Sequence, residues 1–225
     1  MKWGFIMLKA GIVGQSGIRD TASLVSSILS STGKKVSVVD SAKLENLDSK
    51  RLKSYLHELS KNNVDILVFK INIRDVNWVI LENINFDIMI YTDKADDLKE
   101  CANNGYTSIM RKVISMLDEK GLAIVNADDD ELIGFLNEMK QSIVTYGFNS
   151  EASITTSSIG DTIFDDKIMC SLQRTISTKN GSLIEPQEYV IKVENREMDS
   201  YNVLAAATFA IINGVDLNSI GYTTT

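Results

Sequence analysis

A glycine-spaced turn near the start of the chain has the pattern of a loop that holds phosphate groups. An apolar segment, residues 5–8 with Ile12 and Val13, runs into the turn, and a helix-like stretch, residues 22–31, follows it. In loops of this kind, backbone N–H groups bind phosphate oxygens, a lysine comes after the last glycine, and a Ser or Thr hydroxyl binds magnesium. The pattern therefore predicts the scaffold of a nucleotide site between a buried strand and a helix.

The residues that would carry out chemistry in this loop are replaced. Ile18 stands where the lysine is expected, and Arg19 stands at the position of the hydroxyl. Asp20 adds a carboxylate beside the place where phosphates would lie. Two interpretations stay open, a turn that binds no ligand and a residual nucleotide site. The candidate binding residues in the loop are Gly14, Gln15, Ser16, Gly17, Ile18, Arg19 and Asp20.

Other reactive residue types in the chain have simpler explanations. The acidic run 128–130 could bind a metal, but it precedes a helix-like segment, and capping that helix is the favoured interpretation. His57 lies on an amphipathic segment and is expected at the surface. Cys101 and Cys170 are isolated, and nothing near them in the sequence would activate a thiol, so we expect packed or idle cysteines.

Composition and charge exclude several classes of protein. The chain has 225 residues, 44% of them hydrophobic, which suits a globular domain with a sizeable core. A net charge of -7 without a basic stripe argues against nucleic-acid binding. The apolar run near residue 5 is too short for a membrane span or a signal peptide, and two isolated cysteines suit a reducing compartment. We therefore expect one cytoplasmic domain over residues 1–225, with no membrane partner.

The elements that position the loop alternate between strands and helices over the first two thirds of the chain. Such alternation predicts an α/β fold of three layers, a mostly parallel sheet with helices on both faces, as in P-loop proteins. The predicted strands after the loop are 36–39, 65–69, 86–91, 122–125 and 143–146. The predicted helices are 49–61, 78–81, 107–119, which Gly121 ends, and 130–140.

The pattern changes after Gly147. Residues 152–193 are short, β-like and rich in Ser and Thr, with a turn at 179–181, which predicts a small antiparallel section. Residues 201–213 then form a strongly helical, buried segment, and Gly214 closes it.

Six separated motifs occur in the order of one known family. They are residues 11–17, 30–36, 86–93, 126–129, 145–147 and 201–207. In this order they resemble the central, ATP-binding domain of the Mur ligases and of the related folylpolyglutamate synthetases. The segment Tyr201-Asn202-Val203-Leu204-Ala205-Ala206, for example, is similar to the family's Tyr-Asn-x-Leu-Ala-Ala. The resemblance extends from about Ala10 to Ile220, which is nearly the whole chain.

The resemblance implies an activity, a cofactor and missing parts. The family joins an amino acid to a carboxylate through an acyl-phosphate formed from ATP, so ATP is the implied cofactor. Asn202 resembles a family residue that contacts the adenine base, and it joins the loop among the candidate binding residues. The family carries one domain before this one and one after it, and we expect both to be absent from this chain.

The departures from the family fall on its catalytic positions. Ile18 and Arg19 replace the lysine and the magnesium-binding hydroxyl, and Lys70 stands where a metal-binding glutamate is expected. In the family's Asp-His-Leu-Asp, Asp97 takes the place of the histidine, while a lysine that some members carbamylate falls near Met110, although Lys112 is close. These changes argue against magnesium, and we assign no catalytic residue. Lys70 and Arg19 form either a new anion site or, as we favour, ion pairs with Asp20 or Asp97.

The leading hypothesis is therefore a degenerate Mur-ligase-like domain, a pseudoenzyme that binds a protein partner, such as an intact ligase, or a nucleotide that it does not turn over. The alternative is a divergent ATP-dependent ligase or ATPase of the cell-wall type, with magnesium held by Asp96, Asp97 or Asp128. A third hypothesis is a subunit that completes a split ligase. The sequence leaves the oligomeric state open.

Overall fold

The computed structural model describes residues 7–44, 47–74, 78–92, 106–136, 140–156, 167–192 and 198–220. Within these ranges, the strands are β1 Leu8–Gly14, β2 Val36–Asp40, β3 Ile66–Asn72, β4 Phe86–Tyr91, β5 Leu117–Asn126, β6 Ser142–Tyr146, β7 Ile154–Thr156, β8 Lys167–Leu172, β9 Ile176–Ser177, β10 Leu183–Ile184 and β11 Gln187–Lys192. The α-helices are α1 Ile18–Ser31, α2 Ser49–Lys61, α3 Trp78–Leu81, α4 Tyr106–Ser115, α5 Asp130–Leu136 and α6 Ser200–Ile212. Short 3₁₀ turns lie at Ser41–Leu44 and Leu217–Ser219.

The main sheet confirms the predicted α/β class. Its strand order is β11-β8-β7-β6-β5-β4-β1-β3-β2. The strands from β2 to β7 run parallel, whereas β7, β8 and β11 pair antiparallel. The predicted antiparallel section therefore exists, and it continues the parallel sheet at the pairing of Tyr146 with Ile154. The separate β9–β10 hairpin turns at Gly181, whose φ of 86° lies in the left-handed region that glycine adopts readily.

Two apolar cores, one on each face of the sheet, complete the three layers. One core lies under α1 and α6, and the other lies under α2, α3, α4 and α5. Alternate residues of β1 point to opposite faces, so that Ile12 packs in the first core and Val13 in the second. Helix α6 is buried from Asn202 to Ile212, which is why its sequence is apolar all round and not only on one face.

One helix–strand boundary differs from the prediction. Helix α4 ends at Ser115 and β5 begins at Leu117, whereas the sequence pattern continues the helix to residue 119. Leu117 is 5% exposed and fits a helical spacing as well as a strand, so its burial does not discriminate between the two. The pairing decides, because Phe86 aligns with Leu117 and its N–H donates to the Met116 carbonyl at 2.8 Å. An irregularity then separates Leu117 from the regular pairing at Leu122.

A second boundary bears directly on the loop. Helix α1 begins at Ile18, four residues before the predicted start at Ala22, with Gly17 as its N-cap. The N–H of Thr21 donates to the Gly17 carbonyl at 3.1 Å, which closes the first helical turn. No helix in the described part of the chain combines the length and the apolar character that crossing a membrane requires.

Candidate nucleotide site

The predicted loop lies at the edge of the sheet where the parallel strands end. Residues 15–17 connect the last residue of β1 to the first turn of α1. Strand β1 has β3 and then β2 on one side and β4 to β6 on the other. Open α/β sheets bind ligands outside the carboxyl ends of their strands, at the point where the strand order reverses. The fold therefore places the loop where a ligand would be expected.

Gly17 is pressed against two residues from distant elements. A Cβ built on Gly17 would overlap the Oδ1 of Asn202 and lie 3.1 Å from the Cβ of Thr92. Asn202 is 6% exposed, and its Oδ1 accepts a hydrogen bond of 3.3 Å from the Thr21 hydroxyl. Thr92 follows β4, and its hydroxyl donates to the Val13 carbonyl at 3.2 Å. The base of the loop is thus packed against α6 and the end of β4.

The residue at the lysine position faces the protein interior. Ile18 is 6% exposed and belongs to the apolar core under α1 and α6. Arg19 is exposed, and within the part of the chain that the structure describes its side chain makes no hydrogen bond or ion pair. Asp20 is half-buried in the first turn of α1, where a carboxylate is favourable to the helix dipole.

An ion pair between neighbouring strands lies beside the loop. The Nζ of Lys70 on β3 lies 3.0 Å from the Oδ2 of Asp40 on β2. A cleft of about 260 Å³ separates this pair from the loop. The cleft is lined by Gln15, Ser16, Ile18, Arg19, Asp40, Ala42, Lys70 and Asn72.

Lys70 forms an ion pair, as we favoured, but its partner among the described residues is Asp40 and not Asp20. The sequence suggested Asp20 or Asp97, whereas the structure pairs Lys70 with Asp40, and Asp97 lies outside the described residues. The reason is the parallel register, which aligns Asp40 of β2 with Lys70 of β3. Strand pairing cannot be read from one sequence, so this partner was missed.

The acidic run after β5 divides into two roles. Asp129 caps α5, since its Oδ1 accepts a hydrogen bond of 3.1 Å from the N–H of Leu132, as predicted. Asp128 does not cap the helix. Its carboxylate accepts from the N–H groups of Phe148 and Asn149, at 2.7 and 2.9 Å, and from the Tyr201 hydroxyl at 3.1 Å. Among the described residues, no group of three or more His, Cys, Asp or Glu side chains could hold a metal ion.

Asp128 links the loop at Phe148 and Asn149 to helix α6. The ring of Phe148 packs edge-on against that of Tyr201, with centroids 4.7 Å apart. Burial, followed by the hydrogen bond and negative charge of Asp128 and the charge of Asp199, raises the pKa of Tyr201 to about 12. Asp199 caps α6 by accepting from the N–H of Tyr201 at 2.9 Å. These acidic residues stand out in the sequence, but nothing in the sequence indicates the contacts that they make.

The other predicted site residues lie elsewhere or are not described. Lys112 is at the end of α4 that precedes β5, at the amino edge of the sheet, and its Nζ lies 2.6 Å from Glu82. Met110 is fully buried in the core under that helix. His57 is exposed on α2, as predicted. Asp96 and Cys101 lie outside the described residues.

Cys170 is a packed thiol, as expected. It is fully buried, and burial raises the pKa of its thiol to about 12. We expect a Cys101→Ser variant, in which only Cys170 remains, to show no fast reaction with an aromatic disulfide reagent until the protein is unfolded. The measurement is the thiol-release rate in buffer and in denaturant. A rapid reaction of the folded variant would contradict the packed position of this side chain.

Solved structures of larger enzymes share this fold. A UDP-N-acetylmuramoyl-L-alanyl-D-glutamate–2,6-diaminopimelate ligase has a TM-score of 0.71 at 15% identity, over 95% of this chain and 45% of that one. The MurF ligase from Thermotoga maritima in complex with ADP has a TM-score of 0.61 at 16% identity, over 98% and 49% of the two chains. A bifunctional folylpolyglutamate synthase/dihydrofolate synthase with Mn, AMPPNP and L-glutamate bound has a TM-score of 0.60 at 12% identity, over 94% and 55%.

This chain therefore spans about half the length of the solved proteins that it matches. A comparison with curated proteins found no match. The sequence profile of the Mur ligase middle domain matches residues 14–210, which include the loop, helices α1 to α5, nearly all of α6 and most of the sheet. The chain therefore belongs to the Mur ligase middle-domain family.

Proposed function

We propose that this Mur-ligase-like domain does not join an amino acid to a carboxylate and that it acts by binding, either a nucleotide that it does not turn over or a protein partner. The observation that carries the proposal is the charge arrangement at the loop. The lysine position is filled by Ile18, whose side chain is buried in the core. Lys70, which lines the cleft beside the loop, is already paired with Asp40 at 3.0 Å.

The expected loss of reaction rate from the replaced residues supports a domain without catalysis. Phosphoryl transfer depends almost wholly on positioning and on charge stabilisation by lysine and metal. Removal of one such contact lowers a rate by roughly 10²–10³. Losses within one cluster do not add simply, but replacement of the lysine, the hydroxyl and a metal ligand together leaves little of a ligase.

The structure also weakens the alternative of a rebuilt magnesium site at Asp128. Its two carboxylate oxygens accept three hydrogen bonds, from Phe148, Asn149 and Tyr201. A magnesium ion binding here would compete with these donors and would release the loop at Phe148 and Asn149 from α6. Asp96 and Asp97 lie outside the described residues, so a magnesium site at these two residues can be tested only by activity measurements.

A weak nucleotide site at the loop is the first binding mode that we propose. Similar solved structures contain ADP or AMPPNP, which supports a nucleotide as the ligand class. We assign contacts with the phosphates to residues 14–20 and contact with the base to Asn202. The cleft of about 260 Å³ is below the roughly 300–1,000 Å³ of typical ligand pockets. It therefore suits a polyphosphate group better than a whole nucleotide. The free, buried thiol of Cys170 fits a reducing compartment, and we place the domain in the cytoplasm.

Calorimetric titration with ATP tests this proposal. We expect binding with a dissociation constant on the order of 100 μM or weaker, unchanged within about twofold when magnesium is added. The physical reason is that Ile18 replaces the lysine of the loop, while Lys70 is paired with Asp40 and Arg19, the other cation in the cleft lining, is exposed to solvent. An active member of the family, titrated in parallel, provides the positive control.

Three results would each decide against part of the proposal. Magnesium-dependent micromolar binding, together with amide formation from ATP and an acceptor, would establish a divergent ligase. Absence of any ATP binding would leave the partner-binding mode, which is then tested by copurification with intact ligases. Restoration of ligase activity on mixing with such a chain would instead establish a split enzyme.

A further inference from the structure

A second, larger cavity opens at the opposite edge of the sheet from the loop. Its volume is about 760 Å³, within the roughly 300–1,000 Å³ range of small-molecule pockets. It is lined by the first residues of two parallel strands, Leu8 of β1 and Ser142 of β6, which places it at the amino edge. Leu122, Val144 and Ile176 line its apolar part and belong to the core under α1 and α6. The apolar surface of this cavity is thus continuous with the core.

Three cationic side chains surround this cavity. Lys120 comes from the irregular part of β5, while Arg174 and Lys179 flank the short strand β9. Arg174 donates to the Glu151 carbonyl at 2.7 Å, and Lys179 donates to the Lys120 carbonyl at 3.4 Å. These contacts position two of the cations without neutralising them, because a backbone carbonyl carries no net charge.

The charge balance around the cavity differs from that of the whole chain. Within the described ranges, none of the three cations forms an ion pair with a carboxylate. The lining includes one carboxylate, Asp87, whose Oδ2 accepts a hydrogen bond of 2.9 Å from the N–H of Lys9. Among the described residues, the lining of this cavity has three cations and one carboxylate, whereas the chain as a whole has a net charge of -7. Cations that line one cavity and form no ion pair favour an anionic ligand.

We propose that this cavity binds a small molecule with an apolar body and an anionic head group, a carboxylate or a phosphate. The apolar body packs against Leu122, Val144 and Ile176. The head group accepts hydrogen bonds from Arg174 and Lys179, with Lys120 as the third cation. The site is separated by the length of the strands from the loop at Gly17, so it is independent of the nucleotide proposal.

Four probes separate the contributions of the head group and the apolar body in calorimetric titrations. Octanoate and octyl phosphate carry both parts, 1-octanol carries the apolar part, and inorganic phosphate carries the charge. We expect one-site binding of at least one of the two octyl anions, about tenfold or more tighter than that of octanol or phosphate. Binding of one octyl anion alone identifies the head group, and binding of both identifies a site for either.

Variants of the cations test the location. An Arg174→Gln/Lys179→Gln variant is expected to weaken binding of the octyl anion by roughly tenfold or more. The matched control is Lys53→Gln/Lys61→Gln, which makes the same change in net charge at exposed positions of α2 and is expected to bind like the unmodified protein. Because Arg174 also supports the Glu151 carbonyl, Lys120→Gln serves as a second variant, with circular dichroism to confirm folding.

The outcomes are decisive in both directions. Weakened binding in either cavity variant, with normal binding in the control, supports the site. The proposal is overturned if neither octyl anion binds, or if octanol binds as tightly as they do. It is equally overturned if both cavity variants bind like the unmodified protein, or if the control loses the same affinity.

Discussion

Replacement of Asp128 with alanine is expected to lower the free energy of unfolding by about 2–4 kcal/mol, since hydrogen bonds to a charged group contribute more than neutral ones. The carboxylate accepts from the N–H groups of Phe148 and Asn149 and from the Tyr201 hydroxyl. Alanine leaves these three donors without their acceptor and frees the loop that packs its Phe148 ring on Tyr201. The measurement is urea unfolding followed by circular dichroism.

Two variants distinguish the hydrogen bonds from the mere loss of a charge. Asp128→Asn retains one carbonyl oxygen and should cost less than the alanine variant. Asp130→Asn removes a charge from the exposed first turn of α5 and is expected to change stability by about 0.5 kcal/mol or less. If Asp128→Ala is no more destabilising than Asp130→Asn, the role given to Asp128 is wrong.

The same contact predicts a pH dependence. The pKa of Tyr201 is raised from 10.0 to about 12, by burial first and then by the hydrogen bond to Asp128. A raised pKa in the folded state means that the unfolded state loses its proton first, so the stabilisation is complete below about pH 10 and declines as the pH approaches 12. The difference in stability between the unmodified protein and Asp128→Ala should therefore narrow above pH 10. When the same comparison is made in a Tyr201→Phe background, the difference in stability caused by Asp128→Ala should not narrow above pH 10.

Local patterns were sufficient to predict most of the elements. The spacing of apolar residues around Leu52 and Leu56 correctly predicted Ser49–Lys61 as a helix, because an amphipathic helix has a period that the sequence displays directly. The boundary at Leu117 was wrong because burial alone fits both helix and strand there. What decided it was the hydrogen bond from Phe86, a residue on another strand.

The candidate site was predictable in its scaffold and not in its contacts. The glycine spacing correctly placed a turn between strand and helix, and the family motifs correctly indicated the fold. The partner of Lys70 depended on the register of β2 against β3, which brings in Asp40. The role of Asp128 depended on a hydroxyl 73 residues away in the chain, on Tyr201. Long-range contacts of this kind leave no periodic signal in a single sequence.

The second large effect is expected at Gly17, where alanine should destabilise the domain by about 1–3 kcal/mol through overpacking. The backbone of Gly17 has φ -78° and ψ -8°, which any residue adopts, so the conformation itself does not require glycine. The cost is steric, since the new Cβ would overlap the Asn202 Oδ1 and lie 3.1 Å from the Thr92 Cβ. A valine should be worse than alanine, because it adds two more carbons in the same space.

A glycine elsewhere in the chain provides the matched control for this prediction. Gly134 lies inside α5, is exposed, and has open space around the position that a Cβ would occupy, with no atom of another residue within 4 Å among those described. Gly134→Ala should therefore stabilise the protein by about 0.5–1 kcal/mol through helix propensity. Urea unfolding of both variants gives the comparison. If Gly17→Ala is as well tolerated as Gly134→Ala, the loop is not packed against α6.

A double-mutant cycle then identifies the contact responsible. Asn202→Ala removes the overlapping oxygen together with the hydrogen bond from Thr21 and is itself mildly destabilising. If the overlap is the cause, Gly17→Ala should cost about 1–2 kcal/mol less in the Asn202→Ala background than in the unmodified protein. Additive effects would mean that the strain at Gly17 comes from Thr92 instead. The coupling between residues 17 and 202 thus measures how firmly the loop of the candidate nucleotide site is held by the helix that supplies its other predicted contact.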